Sequence, residues 1–354
     1  MRARQVYGAS MPHETSELSD AARLLQLAFG GYAQSQVLYV AVRLGIPDAL
    51  ADGPKDASTL ATATKAHAPT LRRLMRLLTA LGVTEEDADG RYSLSRQGSL
   101  LRADVRGSLR MPVLFGVGSW YWRAWGELLH TVQTGEPAFD HVWGMNAFEF
   151  WGHNVEAGEV HDRGMATLTA YTTGAIVDAY DFSRFQSVVD VGGGTGTLLG
   201  AILKKHGALR GTLFDLAHVI ERAPEVLRTA GVLDRCELTA GSFFEGVPSG
   251  HDAYLLKWII HDWDDARAMA ILRACHGAMS GGGTLLIVER VLSDRTTPTE
   301  LDHYRADLLM AIATPGGKER TRREFEALFD TTGFRLTALV PTRSPMSVIE
   351  AVPR

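Results

Sequence analysis

The chain has 354 residues, 45% hydrophobic and 22% charged, an ordinary globular composition long enough for two domains with a sizeable core. Its net charge of −5 gives no support to a polyanion-binding role for the chain as a whole. Cys236 and Cys275 are too few for a disulfide scaffold and lack metal-ligand spacing, so a reducing compartment and no metal site are expected.

Residues 1–20 contain charged residues and Pro12 but no apolar core of signal-peptide length, and are expected to form a flexible tail. No stretch approaches the roughly 18 uninterrupted apolar residues that span a bilayer, so a soluble cytoplasmic protein with no membrane partner is expected. Residues 21–110 read as helical. Leu24, Leu25, Leu27 and Ala28, then Val37, Leu38, Val40, Ala41 and Leu44, are apolar on so many faces that they fit a dimer-forming helix pair, and nearly as well a buried monomer helix. After Gly45-Ile46-Pro47 comes a unit of winged-helix character. Ser58 is expected to cap a helix ending near His67, and Pro69 opens a second with Leu71, Leu74, Leu77, Leu78 and Leu81 on its apolar face. Gly82 stops that helix, and Asp89-Gly90 reads as a hairpin turn. Residues 111–180 are aromatic-rich and mostly helical, a connector before a third region, 181–354.

From Ser187 strands and helices alternate, which argues for a mostly parallel sheet with helices on both faces. Strands are read at Val188–Val191, Thr212–Phe214, Ala253–Leu256 and Thr284–Val288, the last after Gly281-Gly282-Gly283, with a helix at Leu198–Lys205. The first strand runs into Gly192, Gly194 and Gly196, where the backbone must turn sharply and approach a ligand without a Cβ in the way. Asp215 lies 25 residues after Asp190 at the end of the next strand, where a carboxylate can bond ribose hydroxyls. The loop is not the Gly-x-Gly-x-x-Gly dinucleotide fingerprint, and no Gly-Lys-Ser/Thr follows, which excludes a triphosphate loop. A tight turn with no ligand is the bland alternative, disfavoured by Asp190 and Asp215 in register.

Lys257-Trp258-Ile259-Ile260-His261-Asp262-Trp263-Asp264-Asp265 follows an apolar strand, placing His261 near the sheet's carboxyl edge. Asp264 or Asp265 is expected to cap the helix Ala266–Met279. Alone, His261 reads more readily as a structural loop histidine, Glu289 and Glu319 as ion-pair partners of Arg290 or Arg320, and Met165 and Met310 as core.

Val189-Asp-Val-Gly-Gly-Gly-Thr-Gly196, Phe214-Asp215-Leu216, Lys257 to Trp263, Val288-Glu289 and Pro315-Gly-Gly-Lys-Glu-Arg-Thr321, in that order, resemble the small-molecule O-methyltransferases that include caffeic acid and acetylserotonin methyltransferases and bacterial antibiotic-tailoring enzymes. The likeness covers roughly residues 25–352. It implies a Rossmann-like S-adenosylmethionine-binding domain behind a helical dimerisation domain, hence a homodimer. It implies His261 as catalytic base between Glu289 and Glu319, with no metal. Cofactor contacts fall at Asp190, Gly192, Gly194, Asp215, Leu216, Ser242, Phe243, Lys257 and Trp263, and Phe243 would cover the adenine. Met165 and Met310 would sandwich an aromatic acceptor, with Trp151, His161 and Thr314 lining the pocket. One departure stands out: relatives carry Asp where this chain has Ser242, so the adenine amino group meets a shorter, uncharged acceptor.

The chemistry is coherent. A phenol with pKa about 10 is mostly protonated at neutral pH, and a histidine near 6.5 is largely neutral there and can take the proton. A carboxylate on the other ring nitrogen, Glu289 or Glu319, would set the tautomer. The rival from another class is a DNA-binding regulator, because residues 57–102 look like a winged helix. Seven Lys or Arg against four Asp or Glu in that span is a thin footprint for nucleic acid. A nearer rival keeps the cofactor but performs N-methylation or non-methylating chemistry; a metal-dependent catechol methyltransferase would need an oxygen-rich site that the sequence does not suggest.

Overall fold

The computed structural model describes residues 19–279 and 282–354. The expected N-terminal tail, up to residue 18, and Gly281 of the predicted glycine turn lie outside the described residues. The chain forms two compact units, one up to Ser95 and one from Arg96 to Arg354.

The first unit opens with α1 (Asp20–Arg43), capped by the Ser19 hydroxyl, and continues through α2 (Ile46–Ala49), β1 (Lys55–Asp56), α3 (Ala57–Thr64), α4 (Ala68–Ala80), β2 (Thr84–Glu86) and β3 (Arg91–Leu94). The three strands form an antiparallel sheet in the order β1-β3-β2. Leu24, Leu25, Leu27, Phe29 and Tyr32 are exposed along α1, an apolar surface large for a lone chain. Helix α3 is capped by Asp56, not by the predicted Ser58. The Asp56 carboxylate reaches the Thr59 N–H at 2.8 Å, two residues earlier than read, and Lys65 in the left-handed region ends the helix. The inner face of α4 is Leu71, Met75 and Leu78; Leu77, predicted inside, is exposed.

The second unit begins with short helices α5 (Arg110–Gly116), α6 (Ser119–Gly126), α7 (Leu128–Thr134), α8 (Ala138–Trp143) and α9 (Ala147–His153), then the long α10 (Val155–Ala179). The alternating region follows as β4 (Ser187–Val191), α11 (Thr197–Lys205), β5 (Arg210–Asp215), α12 (Ala217–Ile220), α13 (Ala223–Ala230), β6 (Cys236–Ala240), β7 (Ala253–Lys257), α14 (Asp265–Ala278), β8 (Thr284–Glu289), β9 (Val291–Leu292), α15 (Leu301–Ala313), β10 (Arg320–Thr321), α16 (Arg322–Thr332), β11 (Phe334–Pro341) and β12 (Ser347–Pro353). Seven of these strands form one sheet in the order β11-β12-β8-β7-β4-β5-β6. It is parallel except for β12, which is antiparallel to both β8 and β11. Strands β6, β11 and β12 were not foreseen from sequence.

Side chains alternate across each strand, so neighbours enter different cores. Val188, Leu213, Leu255 and Leu286 pack with Leu199 and Ile202 of α11 and Leu227 of α13. Val189, Phe214, Leu256 and Ile287 face Ile271 and Leu272 of α14 and Phe325 and Phe329 of α16. Burial on both faces is why these strands read as unbroken apolar runs rather than alternating ones. The order reverses between β4 and β7: the chain leaves β4 towards β5 on one side and later fills the other. That reversal opens a crevice at the carboxyl ends of the two strands, where ligands bind in this architecture. The glycine loop and the His261 segment leave the sheet there.

Candidate active site

The glycine loop hangs from the sheet by the Gly192 N–H, which donates to the Phe214 carbonyl at 2.8 Å. Gly192 has φ +71°, and a Cβ there would lie 2.5 Å from Ile259 Cδ1. Gly194, at φ +62°, faces open space. Asp215, at the end of β5, accepts from the Gly194 N–H at 2.8 Å and the Leu216 N–H at 2.7 Å, which holds its carboxylate against the loop. Asp190 is buried beneath, with neither carboxylate oxygen meeting a donor among the described residues. Burial, with the nearby Asp215 charge, pushes its pKa up to about 7, against the pull of Lys257.

Lys257 is itself buried, its ammonium over the Trp258 ring and 3.1 Å from Thr169 Oγ1 of α10. Burial holds its pKa well below the usual lysine range despite Asp190. Around the same mouth, Phe243, Phe244 and Trp263 form an edge-to-face group, and Phe148 of α9 stacks on Trp263 at 5.8 Å. Leu216 is exposed beside Asp215, and Ser242 Oγ accepts from the Phe244 N–H at 3.3 Å. A bare glycine loop, an orphaned carboxylate, a second carboxylate at the strand tip and a group of aromatic rings fit a cofactor that combines ribose, amine and a flat base.

After β7 the chain turns at Trp258, a non-glycine residue at φ +57°, a strain of about 1–3 kcal/mol that recurs at functional sites. A single 3₁₀ turn, Ile260–Asp262, then carries His261. Glu289, the last residue of β8, turns one oxygen onto three successive N–H groups: Ile259 at 3.2 Å, Ile260 at 2.7 Å and His261 at 3.1 Å. It therefore grips the backbone, not the ring. The ring partner is Glu319, whose Oε1 lies 3.1 Å from His261 Nδ1, with Arg290 Nη1 at 3.5 Å. On the other side of the ring, Asp262 Oδ1 is 3.5 Å from Nε2.

These charges correct the expectation of a near-neutral histidine. Burial by itself lowers the His261 pKa, but Asp262, Glu319 and Glu289 together overcome it and raise the value from 6.5 to about 9. The same histidine and Arg290 hold Glu319 below its usual value although it is buried. Burial pushes Glu289 up to about 7.

An aromatic wall stands within electrostatic reach of Asp262, whose charge acts on Tyr121 and meets that of His161. Trp151 stacks on His161 with centroids 5.1 Å apart, and Phe115 meets His161 edge-on at 5.2 Å. Tyr121, Phe139 and Phe150 complete the group, with Met165 of α10 packed against it. Met310 is half-buried on α15; the buried Thr314 hydroxyl donates to its carbonyl at 2.8 Å, so that group caps the helix end. His161 Nδ1 pairs with Asp162, whose other oxygen pairs with Arg222 after β5, so α10 ties the aromatic wall to the Asp215 side.

Of the predicted residues, Glu289 and Glu319 meet His261, Gly194 meets Asp215, Phe243 meets Trp263, and Trp151, His161 and Met165 share one aromatic group. Sequence reasoning missed Asp262, Thr169, Asp162 with Arg222, and Arg320. Asp262 belongs to the Lys257–Trp263 segment, yet nothing in linear spacing shows a side chain folding back onto its neighbour's ring.

Comparison with known proteins identifies the family. Residues 125–335 match the family described as O-methyltransferase domain, and residues 25–104 match the O-methyltransferase dimerisation domain. The phenazine O-methyltransferase PhzM of Lysobacter antibioticus is 42% identical over 330 residues, covering 93% of this chain and 95% of that one. The crystal structure of LaPhzM superposes with a TM-score of 0.90 at 42% identity, covering 95% of this chain and 100% of that chain. That of NcsB1 from neocarzinostatin biosynthesis, in complex with S-adenosylmethionine and 2-hydroxy-5-methyl naphthoic acid, does so at 0.79 and 33% identity, covering 91% and 96%. The chain belongs to the O-methyltransferase family, with a dimerisation domain ahead of its catalytic one.

Proposed function

We propose that this chain binds S-adenosylmethionine across the glycine loop, Asp215, Lys257 and the Phe243–Trp263 aromatic group, and methylates a hydroxyl of a flat aromatic acceptor held against Trp151, His161, Met165 and Met310. The acceptor class is supported by the aromatic wall and by relatives named for a phenazine and a naphthoic acid. The observation that carries the reading is His261, gripped through its ring by Glu319 and through its backbone by Glu289.

When bound, the cofactor supplies a methyl group on a positively charged sulfur that leaves as a neutral thioether. His261 accepts the acceptor's hydroxyl proton at Nε2, because Nδ1 is committed to Glu319. The Glu319 carboxylate stabilises the resulting imidazolium, and a positioned base of this kind contributes about 10²–10⁴-fold. Glu289 keeps the turn in place. Asp262, beside Nε2, offers a second acceptor for a donor next to the reacting hydroxyl. Trp151, Phe115, Tyr121 and the methionines exclude water, which strengthens the electrostatics of the step.

The reading includes a dimerising segment over 21–110, an acceptor-lining connector over 111–180 and a catalytic region over 181–354. It also includes homodimerisation through the N-terminal helices, no metal or nucleic-acid partner, and action in the cytoplasm. Both cysteines are free, and no helix among the described residues is long and apolar enough to cross a membrane.

His261→Ala tests it. With a panel of phenols and anilines read by product mass, the variant is expected to lose turnover while still binding S-adenosylhomocysteine in calorimetry. Near wild-type methylation of a phenol by that variant refutes the base assignment.

A further inference from the structure

Five of the backbone groups around His261 have side-chain partners, and they are held from opposite ends by opposite charges. Glu289 takes the N–H groups at the start of the turn. At its other end Arg320, fully buried, spreads its guanidinium over two carbonyls: Nη1 donates to Ile260 O at 2.9 Å and Nη2 to Trp263 O at 2.8 Å. Nη2 and Nε also reach Asp265 Oδ1, at 2.8 and 3.2 Å, which ties the turn to the first residue of α14.

The neighbouring chain reinforces this grip. The Lys318 N–H donates to the His261 carbonyl at 2.8 Å, and a Cβ on Gly317 would lie 2.7 Å from that oxygen, so only glycine permits the approach. The parallel pairing of β10 with β9, Arg320 opposite Val291, sets Glu319 beside Arg290 in the same stroke. The chain entering β10 thus delivers two consecutive side chains to the turn: Glu319 to the His261 ring and Arg320 to the carbonyls of Ile260 and Trp263.

We propose that Arg320 is a positioning residue for methyl transfer, fixing the turn that presents His261 through the carbonyls of Ile260 and Trp263. The planar fork matters as much as the charge. Two separate carbonyls are met by two nitrogens of one rigid plane, whereas a lysine offers a single ammonium. Releasing the Ile260 and Trp263 carbonyls leaves the turn held by Glu289 and the Lys318 N–H, and the imidazole is freer to tilt about those anchors. The inference rests on His261 being the base.

The test is Arg320→Ala and Arg320→Lys, assayed for kcat, acceptor KM and calorimetric binding of S-adenosylhomocysteine. A misplaced base costs on the order of 10²-fold in rate, so kcat of Arg320→Ala is expected to fall by about that factor while KM and cofactor affinity stay within about threefold. Arg320→Lys is expected to recover part of the loss, and added guanidinium chloride, against sodium chloride at equal ionic strength, to raise the rate of the alanine variant. A purely architectural arginine would instead lower thermal stability with kcat unchanged. A kcat within about threefold of wild type in a folded Arg320→Ala overturns the proposal; so does a loss that neither lysine nor guanidinium relieves. Should the alanine variant not fold, Asp265→Ala frees one end of the fork: a several-fold lower kcat at unchanged cofactor affinity supports the proposal, and an unchanged kcat overturns it. Failure here leaves the base assignment intact, because only activity retained in His261→Ala removes that.

Discussion

Replacing Glu319 by Gln removes one charge from a buried cluster and leaves its shape. Glu319 Oε1 sits 3.1 Å from His261 Nδ1 and 3.5 Å from Arg290. Two unit charges about 4 Å apart at an effective dielectric of 20 interact by about 4 kcal/mol. Arg290 offsets part of that, and Asp262 and Glu289 remain, so the His261 pKa, about 9 in the native enzyme, is expected to drop by roughly one to two pH units. Turnover needs the neutral imidazole, so the acid limb of kcat/KM moves down by the same amount. The plateau falls as well, by about 10- to 100-fold, because an amide stabilises the imidazolium less than a carboxylate does. The assay is initial rate by product mass from about pH 6 to 10 at saturating cofactor, repeated with a more acidic phenol to separate the acceptor's own ionisation. Stability moves in step. A histidine raised from 6.5 to about 9 in the fold contributes about 3 kcal/mol below pH 6.5, and this is lost as pH rises through 9. Glu289, pushed by burial from 4.5 to about 7, acts in the same direction at lower pH. The variant should therefore lose less stability than wild type between neutral and alkaline pH. Acid limbs at the same pH in both enzymes would refute the reasoning, because the carboxylate would then not be setting the charge of the base.

Further outcomes follow from other parts of the site. Ser242→Asp supplies a charged acceptor beside Phe243 and is expected to tighten S-adenosylhomocysteine binding about tenfold, about 1.4 kcal/mol; unchanged or weaker calorimetric affinity would show that the adenine amino group lies elsewhere. With His261 as the proposed base, activity is expected to survive exhaustive chelation, and a loss reversed by magnesium would contradict this. Placing Asp at both Leu27 and Phe29, exposed along α1, is expected to yield monomers in sedimentation; a persisting dimer would move the interface away from that helix.

Much of the catalytic unit was legible in sequence because its signals are local. The strand into Gly192, Gly194 and Gly196 and the strand into His261 each fit within a few consecutive residues. Strands β6, β11 and β12 escaped notice because their ladder partners, not their own pattern, define them; β12 pairs with β8 some sixty residues earlier. The cap of α3 was misplaced by two residues because Asp56 and Ser58 are both good caps, and only the chain path decides which side chain meets the Thr59 N–H.

The sequence alone determined the chemistry available: a glycine loop suited to the close approach of a ligand, a histidine at a sheet edge, and two glutamates with no fixed partner. Tertiary structure decided their division of labour. Glu289 and Glu319 are the same residue type, and spacing cannot tell them apart. The β9–β10 pairing carries Glu319 to the ring, while β8 ends with Glu289 beneath the turn. The charge state of His261 was equally invisible, because it is a sum over Asp262, Glu319 and Glu289 at distances that exist only once the chain is folded, in an interior where Coulomb terms are weakly screened.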